Sequence, residues 1–333
     1  MKTNLPKISV ITPTLNQGQY LEETILSVIN QNYPDLEYIV IDGGSTDNTK
    51  KILERYANRI TSWISEPDSG QGHAINKGLS LATGKVFNWL NSDDVMPPGT
   101  LAEVGKMFSE DDCKLVCGFT TFFNDSLEIE MSSYRLWIAD STEETFTNNV
   151  YNQPGTFFLL DRLIELGGVN QRMHFAFDLE LWLRYLARFG IQGIRLSDSC
   201  FCKFRMHDQS KTVQQTDFFN VEINGLRLFL AHTLHAPEFY KTYLMGRIQK
   251  TSVHQPSIWF FNPSFSRRAL WTHTLTKHLY EAYYGKRRRQ CRIELVKSIS
   301  GGYVRLTWPL LKLLVKLFFL PISFKKHRRN KYI

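Results

Sequence analysis

The stretch Ile8-Ser9-Val10-Ile11-Thr12-Pro13-Thr14 decides the fold. A β-branched run stopped by Thr-Pro-Thr reads as a strand whose ladder ends at the proline, which has no N–H to give. Working outward, Leu21, Ile25, Val28 and Ile29 share one helical stripe within residues 20–31, and Glu22 and Glu23 occupy its first turn, where the helix dipole favours anions. Residues 36–41 are a second unbroken apolar run, closed by Asp42-Gly43-Gly44-Ser45-Thr46-Asp47. Strand, helix and strand with short connections form a βαβ unit, hence a parallel sheet. The alternation continues as a helix over 48–57, a strand over 60–65, a helix over 72–82 and a strand over 86–90. Past Pro98 it loosens into strands at 115–122, 155–160 and 201–206 and a helix at 178–188. Residues 216–284 read as aromatic-rich helices.

The 333 residues suffice for a sizeable core, and 43% hydrophobic with 22% charged residues excludes a disordered or low-complexity chain. The net charge of +8 is unevenly placed. Lys286 to Lys331 hold 14 Lys/Arg and one acid, Glu294, so the remainder is negative. A coat for a polyanion does not follow from that distribution, and no nucleic-acid partner is expected. Five cysteines make no paired metal knuckles and no secreted-type framework, which points to reduced thiols and the cytoplasm. The first residues enter a strand without the apolar core of a signal peptide.

Residues 308–324 are strongly apolar but interrupted by Lys312 and Lys316 and bracketed by Pro309 and Pro321. Twelve residues between those prolines rise ~18 Å, too little for ~30 Å of hydrocarbon. Either an interfacial helix followed by the basic Lys325-Lys326-His327-Arg328-Arg329, or a terminal helix docked on the core, fits the pattern. The organisation expected is an α/β domain over 1–215, a helical region over 216–300 and an amphipathic, basic, membrane-associating tail over 301–333.

In open α/β sheets ligands bind beyond the carboxyl ends of the strands. Here those ends are Thr12-Pro13-Thr14, Asp42-Gly43-Gly44, Glu66-Pro67-Asp68 and Asn91-Ser92-Asp93-Asp94. Paired carboxylates at a strand end call for a cation, and oxygen ligands suit Mg²⁺ or Mn²⁺, which can in turn hold a diphosphate. Alternatively Asp93 and Asp94 cap a helix over 97–108. No G-x-G-x-x-G follows the first strand and no phosphate-binding G-x-x-x-x-G-K-[ST] occurs, so nicotinamide chemistry and P-loop phosphoryl transfer are disfavoured.

In this order and spacing, Ile8-Ser9-Val10-Ile11-Thr12-Pro13-Thr14-Leu15-Asn16, Val40-Ile41-Asp42-Gly43-Gly44-Ser45-Thr46-Asp47, Asp68-Ser69-Gly70-Gln71, Asn76-Lys77-Gly78, Asn91-Ser92-Asp93-Asp94, Phe177-Asp178 and Arg205-Met206-His207 resemble the family 2 glycosyltransferases. The resemblance covers about residues 8–212. It implies a GT-A-like open, mostly parallel sheet with flanking helices, to which a C-terminal helical extension is added. It implies inverting transfer of a sugar from a nucleoside diphosphate donor, usually a UDP-sugar, to a hydroxyl of a glycan, lipid-linked or protein acceptor in surface polysaccharide or glycan biosynthesis. The nucleotide would touch Thr12, Pro13, Thr14, Asn16, Asp42, Gly70, Asn76, Lys77, Asn91, Ser92 and Asp93. Mn²⁺ or Mg²⁺ would be held by Asp93, Asp94 and His207. Asp178 would be the catalytic base.

Two positions depart from the family pattern: Asn91 stands where an acid is usual, and Phe177 replaces the acid before the base. A carboxylate beside Phe175 and Phe177 is partly desolvated, which raises its proton affinity and suits a general base. Asp178 can also cap the helix that follows, and His207, Lys211 and Arg184 can contact phosphate or be ordinary surface groups. The C-terminal charge and apolar run place the enzyme peripherally on an anionic membrane surface, the inner face of the cell membrane. A nucleotidyltransferase acting on sugar phosphates and a non-catalytic membrane-surface scaffold are the alternatives, although residues 12–18 offer no base for a triphosphate.

Overall fold

The computed structural model describes residues 5–124, 127–148, 150–208, 216–248, 257–285 and 287–318. β1 (Ile8–Thr14) is buried along its whole length and lies between β2 (Leu36–Asp42) and β4 (Val86–Trp89), parallel to both. β3 (Ser62–Ser65) continues the parallel order beyond β2. A strand covered on both faces needs apolar residues on both, which is why these segments read as continuous runs.

Successive side chains of β1 point to opposite faces. Ile8 and Val10 pack with Leu21 and Ile25 of α1 (Gly18–Ile29), Ile52 and Leu53 of α2 (Thr49–Tyr56), and Leu101 and Val104 of α4 (Thr100–Phe108). Ile11 faces α3 (Gln71–Leu81), where a Cβ on Gly78 would stand 2.4 Å from its Cγ2. Only glycine lets that helix approach so closely.

The second half is antiparallel where it joins the first. β7 (Thr156–Leu159) runs against β4, β5 (Leu115–Asn124) against β7, and β6 (Leu127–Tyr134) against β5. β8 (Ile194–Arg205) pairs parallel with β5. The eight-stranded order is β3-β2-β1-β4-β7-β5-β6, with β8 on β5. The α/β class is as expected, and the sheet is parallel through its first four strands and mixed beyond. The strand expected over 201–206 begins at Ile194, and its first residues are partly or fully exposed, so no apolar run announces them. β6 and the short helices α5 (Thr142–Asn148) and α6 (Leu160–Glu165) add elements that the apolar patterning did not announce. α7 (Phe177–Phe189) carries an apolar face of Leu179, Leu183 and Leu186. α8 (Thr216–Thr233) follows residues 209–215, which include Lys211 and lie outside the described residues.

The chain forms two compact units, one of Met1–Leu230 with Leu244–Phe265, the other of Ala231–Tyr243 with Ser266–Ile333. The second contains most of α9 (Glu238–Met245), with α10 (Arg267–Tyr284), α11 (Arg288–Ser300) and α12 (Trp308–Phe318). Its core is Trp271, Leu275, Leu279, Leu295, Leu310 and Leu313, and the Trp271 indole donates to the Leu234 carbonyl at 3.0 Å. Among the described residues no helix is long and apolar enough to cross a membrane. The remainder of the 308–324 segment and the basic run at 325–329 lie outside the described residues.

Candidate active site

The tips of β1 and β2 are locked to each other before any ligand arrives. Thr14 pairs in register with Asp42, and the Gly43 N–H donates to the Thr14 carbonyl at 2.9 Å. Asp42 is fully buried, and its carboxylate accepts the Ser45 N–H at 3.1 Å and the hydroxyls of Ser45 and Ser65, the latter at 2.7 Å. Three donors satisfy a charge that burial would otherwise penalise. Asn16 takes a left-handed φ of 52°, which lets its Oδ1 accept the Thr46 N–H at 2.8 Å while its own N–H donates to Ser45 Oγ at 2.7 Å. Asn16 is thus a staple between the loops after β1 and β2. Thr12 spends its hydroxyl accepting from Tyr38 at 3.0 Å. Pro13 is buried between these two threonines. Thr14 Oγ1 is buried and makes no hydrogen bond among the described residues. An orphaned buried hydroxyl at a strand tip is a group waiting for a polar ligand.

The loop after β3 closes the next side. Gly70 precedes α3 with φ 120°, reserved in practice for glycine, and its N–H donates to Asp68 Oδ1 at 2.8 Å. Gln71 donates to Asn91 Oδ1 at 2.8 Å, and Asn91 donates onward to Asp94 at 3.2 Å, so a chain of amides ties α3 to the tip of β4. Asn76 uses both ends of its amide on Val169, accepting its N–H at 2.9 Å and donating to its carbonyl at 2.8 Å. Lys77 pairs with Glu66 at 2.5 Å.

Beyond β4 the two acids part. Asp93 remains partly exposed, and its Oδ2 lies 3.1 Å from Nε2 of His207. Asp94 turns into the protein, fully buried, where its carboxyl accepts the Arg205 N–H at 3.1 Å. Burial first, and then the neighbouring Asp93 charge, push its pKa well above the usual carboxylate range. Asp94 thus turns inward while Asp93 faces His207, so the two carboxylates expected to share an ion stand in different surroundings. Ser92 is buried beside them. Neither acid caps a helix, since α4 starts at Thr100 behind Gly99.

Arg205 organises this corner. Its Nε donates to the Asp93 carbonyl at 2.9 Å, its guanidinium pairs with Glu23 and lies 4.9 Å from the Tyr20 ring, and Tyr20 in turn stands 4.7 Å from the His207 ring. Among the described residues no three acidic, histidine or cysteine side chains gather as a metal cage. A carboxylate and an imidazole facing each other still fit Mn²⁺ or Mg²⁺ of the kind completed by substrate phosphates and water.

Asp178 occupies the first turn of α7, one residue inside the helix that begins at Phe177, so it is not the cap. The Tyr151 hydroxyl donates to its Oδ1 at 3.0 Å and the Leu179 N–H at 2.8 Å. Burial outweighs both and raises its pKa to about 6. Trp89, Leu136, Tyr151, Gln153 and Trp182 line a small cavity with it. Trp89 is the last residue of β4, and its ring stands 6.5 Å from that of Phe177. One strand end thus reaches Asp178 and, four residues on, Asp93. Gln153 holds that end by donating to the Trp89 carbonyl at 2.8 Å. Trp182 is core, 3% exposed and stacked on Tyr185.

Glu180 points away from Asp178 and is buried against Arg184, which also donates to the carbonyls of Leu166 and Gly168. Arg184 is therefore a structural clamp and not a phosphate partner. The residue that sequence reading missed is Glu222 of α8. Its carboxylate accepts the N–H groups of His174, Phe175 and Ala176 at 2.8, 3.0 and 2.8 Å, fixing the entry to α7 from another helix. Phe218 and Phe219 pack on Phe175 beside it, with ring separations of 5.5 and 5.3 Å.

Comparison with known proteins gives concordant findings. The family model "Glycosyl transferase family 2" matches residues 9–166. An uncharacterized glycosyltransferase of Rickettsia typhi is 26% identical over 64% of this chain and 68% of its own length. The putative teichuronic acid biosynthesis glycosyltransferase TuaG of Bacillus subtilis is 28% identical over 74% of this chain and 97% of its own. Among solved structures, S. aureus TarS 1-349 in complex with UDP has a TM-score of 0.52 at 20% identity, covering 73% of this chain and 69% of that one. Mannosyltransferase PcManGT from Pyrobaculum calidifontis, in complex with GDP-Man and Mn2+, also has a TM-score of 0.52 at 20% identity, covering 95% of this chain and 88% of its own. Both share the GT-A fold.

Proposed function

As a member of glycosyl transferase family 2 through residues 9–166, the chain is a glycosyltransferase, and we propose that it moves a sugar from a nucleoside diphosphate donor to an acceptor hydroxyl with inversion at the anomeric carbon. The observation that carries this reading is the β4 end, where Trp89 lines the Asp178 cavity and Asp93 faces His207. One side of that end suits a diphosphate and the other an acceptor hydroxyl. Membership of the family sets aside the nucleotidyltransferase and scaffold alternatives.

In this reading the base and ribose lie against Thr12, Pro13, Thr14 and the Asp42 loop, where the free Thr14 hydroxyl supplies a donor. Asn16, Gly70 and Asn76 act through the loops they shape, and Lys77 and Asn91 through the polar rim. Asp93 and His207 would hold a divalent cation, which offsets the negative charge that grows on the departing diphosphate. Asp178 accepts the proton of the acceptor hydroxyl, and Tyr151 keeps its carboxylate oriented. The oxygen freed of that proton attacks the anomeric carbon as the glycosyl–phosphate bond breaks, and the leaving electrons go to the nucleoside diphosphate. TuaG, alike over nearly its whole length, supports a polymer of the cell surface as the product.

The two solved relatives carry different nucleotides, so the donor is decided by assay. A panel of UDP-, GDP- and dTDP-sugars with Mn²⁺ should show turnover with a UDP-sugar as nucleotide release. Asp93→Ala and His207→Ala should each weaken metal-dependent UDP binding at least tenfold in titration calorimetry. Binding that is unchanged in both variants would remove the cation from this corner.

A further inference from the structure

The last described helix of the second unit presents two apolar faces where a docked helix needs one. α12 packs through Leu310, Leu313 and Leu317, which are 0, 0 and 1% exposed. Trp308, Leu311, Val315 and Phe318 remain 68, 38, 48 and 44% exposed. At ~100° per residue these four fall within a sector of about 80° on the side away from the docked leucines. The Lys312 ammonium sits 5.3 Å from the Trp308 ring, and that of Lys316 lies 5.8 and 6.0 Å from the rings of Tyr280 and Tyr284. The stripe is therefore edged by cations.

α11 continues the pattern. Arg292 donates to the Leu317 carbonyl at 2.8 Å, and its guanidinium lies 5.4 Å from the Phe318 ring, at the end of the stripe. Ile293 and Val296 beside it are 49 and 52% exposed. Between Lys286 and Lys331 the 14 basic residues meet a single acid, Glu294, and that acid is buried against His278 at 3.1 Å. No other acid in this span of the sequence offsets the basic charge.

We propose that α12 lies flat on an anionic lipid bilayer, with Trp308, Leu311, Val315 and Phe318 in the boundary between headgroups and acyl chains and the surrounding lysines and arginines on the headgroups. The eleven residues of α12 rise ~16 Å, about half the hydrocarbon thickness, so the helix lies in the interface and does not span. Tryptophan is favoured at that depth, and lysine stems reach back from it to water. A nucleic acid would engage the arginines but leave the apolar stripe in water. An exposed apolar stripe edged by one sign of charge is what an interfacial helix requires.

The test is co-sedimentation of the full chain with vesicles of phosphatidylcholine alone or with a third of phosphatidylglycerol. Strong binding to the anionic vesicles, falling at least tenfold on neutral vesicles and in 0.5 M salt, is expected. The variant L311E/V315E alters only exposed positions, so its melting temperature should match the parent while binding drops at least tenfold. Parental binding by that variant would overturn the assignment, as would loss of binding on deletion of 319–333 with the variant unaffected. A parent that ignores anionic vesicles but forms a dimer that the variant abolishes would show that a second copy covers the stripe instead.

Discussion

Asp178 is set against itself by its surroundings. The burial that lifts its pKa to about 6 makes it a useful base, and the same burial makes its ionised form costly to the fold. Its folded pKa lies above the unfolded value near 3.8, so the cost is absent below pH ~4, grows between ~4 and ~6, and is full above that. Asp178→Asn retains an oxygen for Tyr151 and Leu179 and removes the charge. It should abolish transfer, leave UDP binding near the parental value and, allowing for partial exposure, stabilise the protein by about 2 kcal/mol at pH 7. Thermal melts at pH 4 and pH 7 check this, because the gain should vanish at the lower pH. For the parent, kcat/KM should fall tenfold per pH unit below about 6; a flat profile down to pH 5 would exclude a base with this pKa. The desolvation of Asp178 was legible in its aromatic sequence neighbours Phe175 and Phe177. The inward turn of Asp94 was not, since it depends on Arg205, 111 positions away along the chain.

At the scale of elements, α7 is tied to its surroundings at two points. Glu222 gathers three N–H groups at its entry, and Arg184 ties its middle to the carbonyls of Leu166 and Gly168. Glu222→Ala leaves those donors without their carboxylate, at a cost of about 3 kcal/mol. Amide exchange at 174–176 should quicken and kcat should fall more than tenfold while KM for the donor stays put, because the loop aims Asp178 and not the nucleotide. A variant with slowed turnover and unchanged exchange would argue against this route. Arg184→Met strands Glu180 without its partner and should cost about 3–5 kcal/mol by denaturant unfolding. The βαβ half of the molecule could be read directly, since doubly covered strands must be apolar throughout. β6, α5 and α6 could not, because an edge strand and helices of six or seven residues are set by what they pack on, not by their own periodicity.

For the whole molecule, the chain passes between its units three times, so neither unit is a contiguous piece that a cut would release. The grouping of the strand tips, Asp178 and Glu222 lies entirely within Met1–Leu230 and Leu244–Phe265, whereas Trp271, Leu275 and Leu295 form a core of their own in the other. A ligand that binds only folded protein stabilises the unit that holds its site, by about 2.7 kcal/mol when present at a hundred times its Kd. In calorimetry with Mn²⁺, UDP at that ratio should raise the melting of the larger unit by about 5–10 °C, the scale set by the unfolding entropy of a domain of that size. The smaller unit should melt where it did before, and Trp271→Ala should lower its transition alone, through loss of a buried indole worth about 3–5 kcal/mol. If UDP instead moved both transitions together, or Trp271→Ala weakened UDP binding tenfold, the helical unit would have to contribute to the donor site, and the strand tips alone would no longer account for it.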